Sequence, residues 1–336
     1  MDSTHTTTRR HILAAAAAAA GTSLIGLPAW AQANYPSKPI RFVVPFNPGG
    51  ATDIVARVLA EAMSRQLGQP IIVENKAGAS AMLGTDQVAK SAPDGYNVVV
   101  SLSTSLLINQ FLYSKMAYNP QKDLLMLSEI ASAPVTLVVH PSVPANNMQE
   151  LRAWVKANKG KVSYGSWGVG SYAHLGGAYM SKTMDADMSH VAYRGEAPMI
   201  QELIGGQLQL CFSSAQNTKP FIETGRLKAI GVTGKQRMSV LPDLPTIYEQ
   251  GVTDDAYAIA GFVGMALPAG TPKEVVDALY AALQQASQDH KVQERLDGAG
   301  FLPVFSTPEA FAQSYAEAAP IWKQLIEVAE AKVDYT

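Results

Sequence analysis

The stretch IRFVVPFNPGGATDIVAR, residues 40–57, sets the reading of this chain. An apolar run of strand type ends at Pro45. A loop holding Pro48, Gly49 and Gly50 follows, and from Ile54 apolar residues recur at helical spacing through Val55, Val58, Leu59, Ala62 and Met63. A strand that turns through glycines into a helix is the opening unit of an α/β sheet, and ligands of such sheets sit beyond the carboxyl ends of the strands. Pro48 restricts one φ angle, while both glycines can take positive φ and let a guest approach the backbone. The first amides of a helix have no intrahelical acceptor, so residues 50–53 are expected to present free N–H groups reinforced by the helix dipole. That arrangement suits a carboxylate or phosphate. Two details favour a monovalent carboxylate end. The loop has no G-x-x-x-x-G-K-[ST] pattern for a nucleoside triphosphate, and Asp53 in the first turn repels a highly charged guest. The same glycines would also serve a plain tight turn capped by Thr52.

The pattern continues outward. PIIVEN (70–75) and NVVVSLS (97–103) read as a second and third strand, the latter apolar throughout and therefore central. APVTLVVHPSVP (133–144) places three prolines around one strand and marks a boundary. Helices are then expected over 148–158, 172–184 and 198–204, and strands at KVSYGS, SHVAY, LQLCFSS and LKAIGVT. LPDLPT (241–246) is a proline-paced loop. YAIAGFVGMALP (257–268) reads as the chain crossing back to the first sheet. Two helices over 272–287 and 308–331 close the sequence, the second interrupted or kinked at Pro320. The expectation is an α/β fold with mainly parallel sheets.

Polar loops rich in small residues recur at strand ends. SLSTS brings Thr104 and Ser105. YGSWGVGSYAHLGG brings Ser166, Trp167, Gly170, Ser171 and His174. AYRGEAP brings Arg194, Gly195 and Glu196, and CFSSAQN brings Ser213. Two such mouths in the first half and three in the second describe a cleft between two lobes. His174 either contacts the ligand or caps its own helix. Trp167 either stacks on a ring-bearing guest or packs beneath its loop. Arg194 either pairs with a far carboxylate or bridges to Glu196 or Glu202. Cys211 reads as a buried apolar filler.

Composition limits the function classes. The chain has 336 residues, 47% apolar and 16% charged, with a formal net charge of −2, so no basic field recruits nucleic acid. Residues 1–33 form an export signal: Arg9 and Arg10 precede an alanine-rich run, and cleavage is expected after Ala31 or Ala33, by the general or the twin-arginine route. The single cysteine rules out an intrachain disulfide, and none stands at the signal junction to carry a lipid. No later apolar run approaches the length of a membrane span. The mature protein is expected to be periplasmic, with no metal and no cofactor. GVGSYA (168–173) matches the dinucleotide pattern G-x-G-x-x-A, but the next strand ends without the acid that would hold a ribose. Neither Ser166 nor Ser171 has the G-x-S-x-G frame of a hydrolase nucleophile.

Taken in order, YPSKPIRFVVPFNPGGATDIVAR, PDGYNVVVS, VVHPSVP, GSWGVGSYAHL, HVAYRGEAPMIQELIGGQLQL, LKAIGVTGKQRMSVLPDLPT and PAGTPKEVVDAL resemble the Bug-type periplasmic solute receptors of tripartite tricarboxylate transporters. The resemblance spans nearly the whole mature chain. It implies two Rossmann-like α/β lobes of the periplasmic binding protein type, joined by a hinge with a ligand cleft between them. Lobe 1 would comprise residues 34–135 plus 258–336, and lobe 2 residues 136–257. It further implies a non-enzymatic, monomeric receptor for a di- or tricarboxylate, an acidic amino acid or an aromatic acid, with the membrane subunits of the transporter as partners. In this family the first lobe grips the carboxylate through the loop that here holds Phe46, Gly49, Gly50, Ala51, Thr52 and Asp53, together with Thr104 and Ser105. The second lobe would supply Ser166, Gly170, Ser171 and His174, with Arg194 to Glu196 nearby. KAGASAMLG (76–84) departs from the family's usual Arg-Pro-Gly-Ala-Gly-Gly. The readings of another class are an exported serine hydrolase acting through Ser166 or Ser171, and a subunit presenting its ligand to a signalling partner.

Overall fold

Strand β1 (Ile40–Val44) pairs in parallel with β2 (Ile71–Asn75) on one side and β3 (Asn97–Leu102) on the other. The computed structural model describes residues 35–334, so the export signal and its cleavage sites lie outside the described residues. The remaining strands are β4 (Leu124–Ala133), β5 (Thr136–Val139), β6 (Ser163–Ser166), β7 (Ser189–Ala192), β8 (Leu210–Ser213), β9 (Lys228–Val232), β10 (Gly261–Pro268) and β11 (Leu302–Pro303). They form a six-stranded sheet in the order β11-β4-β10-β3-β1-β2 and a five-stranded sheet in the order β7-β6-β8-β5-β9. Burial follows position. The central strands β3, β5 and β8 are buried along nearly their whole length, whereas the edge strands β2 and β7 are half-exposed.

Both sheets are mixed, which corrects the expectation of mainly parallel ones. β10 runs antiparallel to β3 and β4, and β5 runs antiparallel to β8 and β9. The cause is how the chain changes sheets. β4 passes almost directly into β5 through Pro134 and Val135, and the chain returns at β10. A strand that arrives from the other sheet enters without the crossover helix that enforces parallel pairing. The two passages touch each other, Thr233 N donating to Val135 O at 2.9 Å, and the return passage is closed on itself by Gly234 N donating to Tyr257 O at 2.8 Å.

The helix Ala51–Leu67 buries Val55, Ala56, Leu59 and Met63, and packs against the helices Lys273–Ala286 and His290–Gly298. Each large apolar side chain so buried contributes about 1.5–3 kcal/mol. The last of these helices is an addition to the sequence reading. Its only buried apolar side chains are Val292 and Leu296, so periodicity is faint, but the Asp289 side chain accepts from Lys291 N and caps it. The helix Pro308–Val328 runs unbroken through Pro320, against expectation. Burial of Phe311, Tyr315, Trp322, Leu325 and Ile326 outweighs the one backbone bond that the proline removes. This helix also touches the helix Tyr172–Thr183 above the second sheet, and the described residues from Lys38 onward form one compact unit. Cys211 is fully buried in β8, as a filler would be. No helix among the described residues is long and apolar enough to cross a membrane.

Candidate functional site

The loop after β1 builds one wall. Gly49 takes φ +82°, a left-handed turn that favours glycine, whereas Gly50 is extended at φ −74°, ψ 165° and needs no glycine for its conformation. Gly50 is the residue that caps the helix, and it has no side chain to satisfy the first-turn amides. Asp53 reaches back instead to Gly49 N at 2.9 Å. Its carboxylate also accepts from Arg57 Nε at 3.0 Å and Asn75 Nδ2 at 2.9 Å. Burial raises the carboxyl's pKa, but these bonds outweigh burial and hold it below the ordinary value. Asp53 is therefore spent on fixing the loop, and it does not line the cavity in front of it.

That cavity has a volume of about 440 Å³ and collects Phe46, Gly49, Gly50, Ala51 and Thr52 from the first loop. Thr104 joins them, together with Ser103. Ser105 does not. Its hydroxyl bonds Thr85 at 2.9 Å and Ser101 at 2.7 Å, and its carbonyl accepts from Tyr118 at 2.6 Å. The π-helical turn Thr104–Ile108 begins directly after β3, and its wide winding turns Ser105 inward.

From the second sheet come Trp167, Tyr172, Gly195, Glu196, Ser214 and Asn217. Trp167 lines the cavity and also packs against the core beneath its loop. Ser213, at the end of β8, points its hydroxyl to Glu196 Oε2 at 2.8 Å, and its neighbour Ser214 faces the cavity. Ser213 is fully buried within β8 whereas Ser214 begins the helix that follows, and both hydroxyls reach the same Glu196 oxygen. Arg194 is exposed and outside the lining. The departing loop 76–84 is outside it too, with Ala79, Ser80 and Ala81 all at positive φ.

Ser166, Gly170, Ser171 and His174 lie behind this wall rather than on it. Ser171 caps the helix Tyr172–Thr183, donating to Gly168 O at 2.7 Å and accepting from His174 N at 3.4 Å. His174 Nδ1 accepts from Gly170 N at 3.2 Å, so the capping reading of this residue holds here. Its ring stacks on His190 at 4.1 Å, and Ser166 Oγ meets His190 Nε2 at 2.7 Å. Among the described residues no carboxylate bonds His190, and Ser166 is fully buried, so the pair lacks the orienting third group of a hydrolase triad.

The histidine stack carries a pH signature. Burial, aided by the neighbouring His190, lowers the pKa of His174 from 6.5 to about 4. Between these values the unfolded chain binds the extra proton, so stability falls as pH drops through that window and levels off below about 4. Acidification through that window costs at most about 3 kcal/mol of stability, and near neutral pH, where the ring is uncharged in both states, the shift contributes almost nothing. His190 is lowered in the same direction by burial. Thermal melts should show this slope, and His174→Asn, which keeps an acceptor for Gly170 N, should flatten it. An unchanged slope in that variant would remove the stack as its source.

Sequence reasoning missed the floor of the cavity. Trp322, from the C-terminal helix, packs edge-on against Tyr172 with ring centroids 5.9 Å apart, and both line the space. Phe301 and Pro134 line it as well. The one available signal for Trp322 was a large aromatic on a helix read only as closing the fold. Among the described residues no cluster of histidine, cysteine, aspartate or glutamate could hold a metal ion.

The chain resembles known proteins along most of its length. The family model for the tripartite tricarboxylate transporter family receptor matches residues 55–330. Protein BugT of Bordetella pertussis is 31% identical over 300 residues, which cover 89% of this chain and 91% of BugT. The solved structure of the periplasmic binding protein BugD is 35% identical with a TM-score of 0.76, covering 90% of this chain and all of that one. MatC from Rhodopseudomonas palustris, solved with bound malate, is 30% identical with a TM-score of 0.74, covering 87% of this chain and all of MatC. With its two mixed sheets in the binding-protein arrangement and the glycine-led cavity at their strand ends, this chain belongs to the tripartite tricarboxylate transporter receptor family of Bug-type solute-binding proteins.

Proposed function

We propose that this protein is a periplasmic receptor that captures a small organic carboxylate and delivers it to membrane subunits of a tripartite tricarboxylate-type transporter. The lobes would be residues 34–135 plus 258–336 and residues 136–257, acting as a monomer and closing about the two passages between the sheets. The observation that carries this reading is the uncapped first turn at Ala51 and Thr52. Its amides have no intrahelical acceptor and stand at a cavity whose other wall comes from the second sheet. A carboxylate there gains charge-assisted hydrogen bonds and the favourable end of the helix dipole. Malate in MatC, a relative of the same fold, fits this chemistry. Trp167, Gly195 and Glu196 would close over the guest. Ser166, Gly170, Ser171 and His174 would hold the second wall in shape without touching it.

A ligand that binds only the folded state stabilises it by mass action, by about 2.7 kcal/mol at a hundredfold excess over Kd. A panel of mono-, di- and tricarboxylates and amino acids should therefore contain members that raise the melting temperature of unliganded protein. A panel without any shift would remove the receptor reading.

A further inference from the structure

We propose that the preferred ligand is a carboxylate that bears a hydrogen-bond donor, above all an ammonium group, at its far end, and that Glu196 selects it against diacids. This inference deepens the receptor reading and rests on it.

The cavity's charge inventory carries the argument. Glu196 is the only acidic side chain in the lining, and no lysine, arginine or histidine side chain lines it among the described residues. The second wall therefore has no side-chain cation, and its own uncapped helix start at Gly195 carries the Glu196 carboxylate in its first turn. A second carboxylate on the guest would find no cation there and would face the carboxylate of Glu196.

Glu196 is also held in place. Its Oε2 accepts from Ser213 Oγ at 2.8 Å, Ser214 N at 3.2 Å, Ser214 Oγ at 2.6 Å and Asn217 Nδ2 at 2.6 Å. All four bonds go to one oxygen. A side chain so tethered cannot easily swing out of the way of a like charge. It offers a fixed acceptor to a donor instead. The nearest cation in sequence, Arg194, is exposed and outside the lining. The lining also holds the aromatics Phe46, Trp167, Tyr172 and Trp322, which suit an apolar body. Like charges juxtaposed in such a setting are strongly discriminated against, and an unpaired charge built against one guest is a common source of specificity.

Two matched sets of probes test this by calorimetry on the mature chain: hexanoate, adipate and ε-aminocaproate, then para-toluate, terephthalate and para-aminomethylbenzoate. Within at least one set, the zwitterion should bind at least about tenfold tighter than the diacid. Glu196→Gln and Glu196→Ala should erase that ratio, with melting curves confirming that both variants fold. A diacid that binds tighter than its zwitterion to the parent protein would overturn the inference. So would a ratio unchanged in both variants, or diacid binding that disappears in Arg194→Ala. If other carboxylates shift the melting temperature while neither zwitterion binds, the inference falls and the receptor reading stands. If no carboxylate of any kind binds, both fall.

Discussion

Gly50→Val is expected to weaken carboxylate binding at least about a hundredfold while the unliganded protein still folds. The backbone at Gly50 is extended, a conformation that valine adopts readily, and an added Cβ would meet only Asn47 O at an ordinary 3.7 Å. The protein therefore accommodates the side chain, and the space it takes is that of the guest. Blocking two charge-assisted hydrogen bonds of about 1.5–3 kcal/mol each gives a loss of this size. Valine is a poorer helix cap than glycine, so a drop of a few degrees in melting temperature is expected as well. Gly49 makes a useful contrast. At φ +82° any side chain there is strained, although its Cβ would meet nothing within 4 Å. Gly49→Ala should therefore lose stability before it loses affinity. Calorimetry and thermal melts on both variants check the pair, and undiminished affinity in Gly50→Val would exclude the first turn as the carboxylate's seat.

Trp322→Ala should cost about 3–5 kcal/mol of stability, a fall of roughly 10 °C in melting temperature. Trp322 is 1% exposed and meets Tyr172 edge-on, and Tyr172 in turn donates to Ala256 O at 2.6 Å. One side chain on the C-terminal helix thus braces a helix of the second sheet and the segment that leads back to the first. Removing it opens a void at the cavity floor and should weaken ligand binding too. Its indole Nε1 is buried with no hydrogen-bond partner among the described residues. Trp322→Phe therefore loses no such bond and should recover most of the stability. An alanine variant melting within about 3 °C of the parent would show that the surroundings collapse onto the space.

The comparison of Ser105 with Ser103, and of Ser213 with Ser214, shows where reading residues in a line runs out. Each pair sits in a loop read from the sequence as a cavity mouth, yet Ser103 and Ser214 line the cavity while Ser105 and Ser213 do not. Ser105 is turned inward by its bonds to Thr85 and Ser101, and Ser213 lies fully buried in β8, so partners brought up by the fold decide which serine lines the cavity. Ser171 and His174 lie outside the cavity lining for a different reason. They occupy the expected loop, but the helix start consumes their polar atoms, and hydroxyl and imidazole groups serve caps as readily as ligands.

What sequence alone determined was local or repeated along the chain: the strand, glycine turn and helix at residues 40–67, the alternation of β and α segments, the return of the chain at 257–268, and the family to which the ordered motifs point. These survive because they depend on backbone freedom, periodicity and caps among near neighbours. Tertiary structure alone decided the antiparallel entries of β5 and β10, the unbroken passage through Pro320, the placing of Trp322 under the cavity, and the isolation of Glu196 from any cation in the lining. Each of those depends on surfaces brought together from distant parts of the chain, where buried area and the absence of a counter-charge outweigh the preference of any single residue.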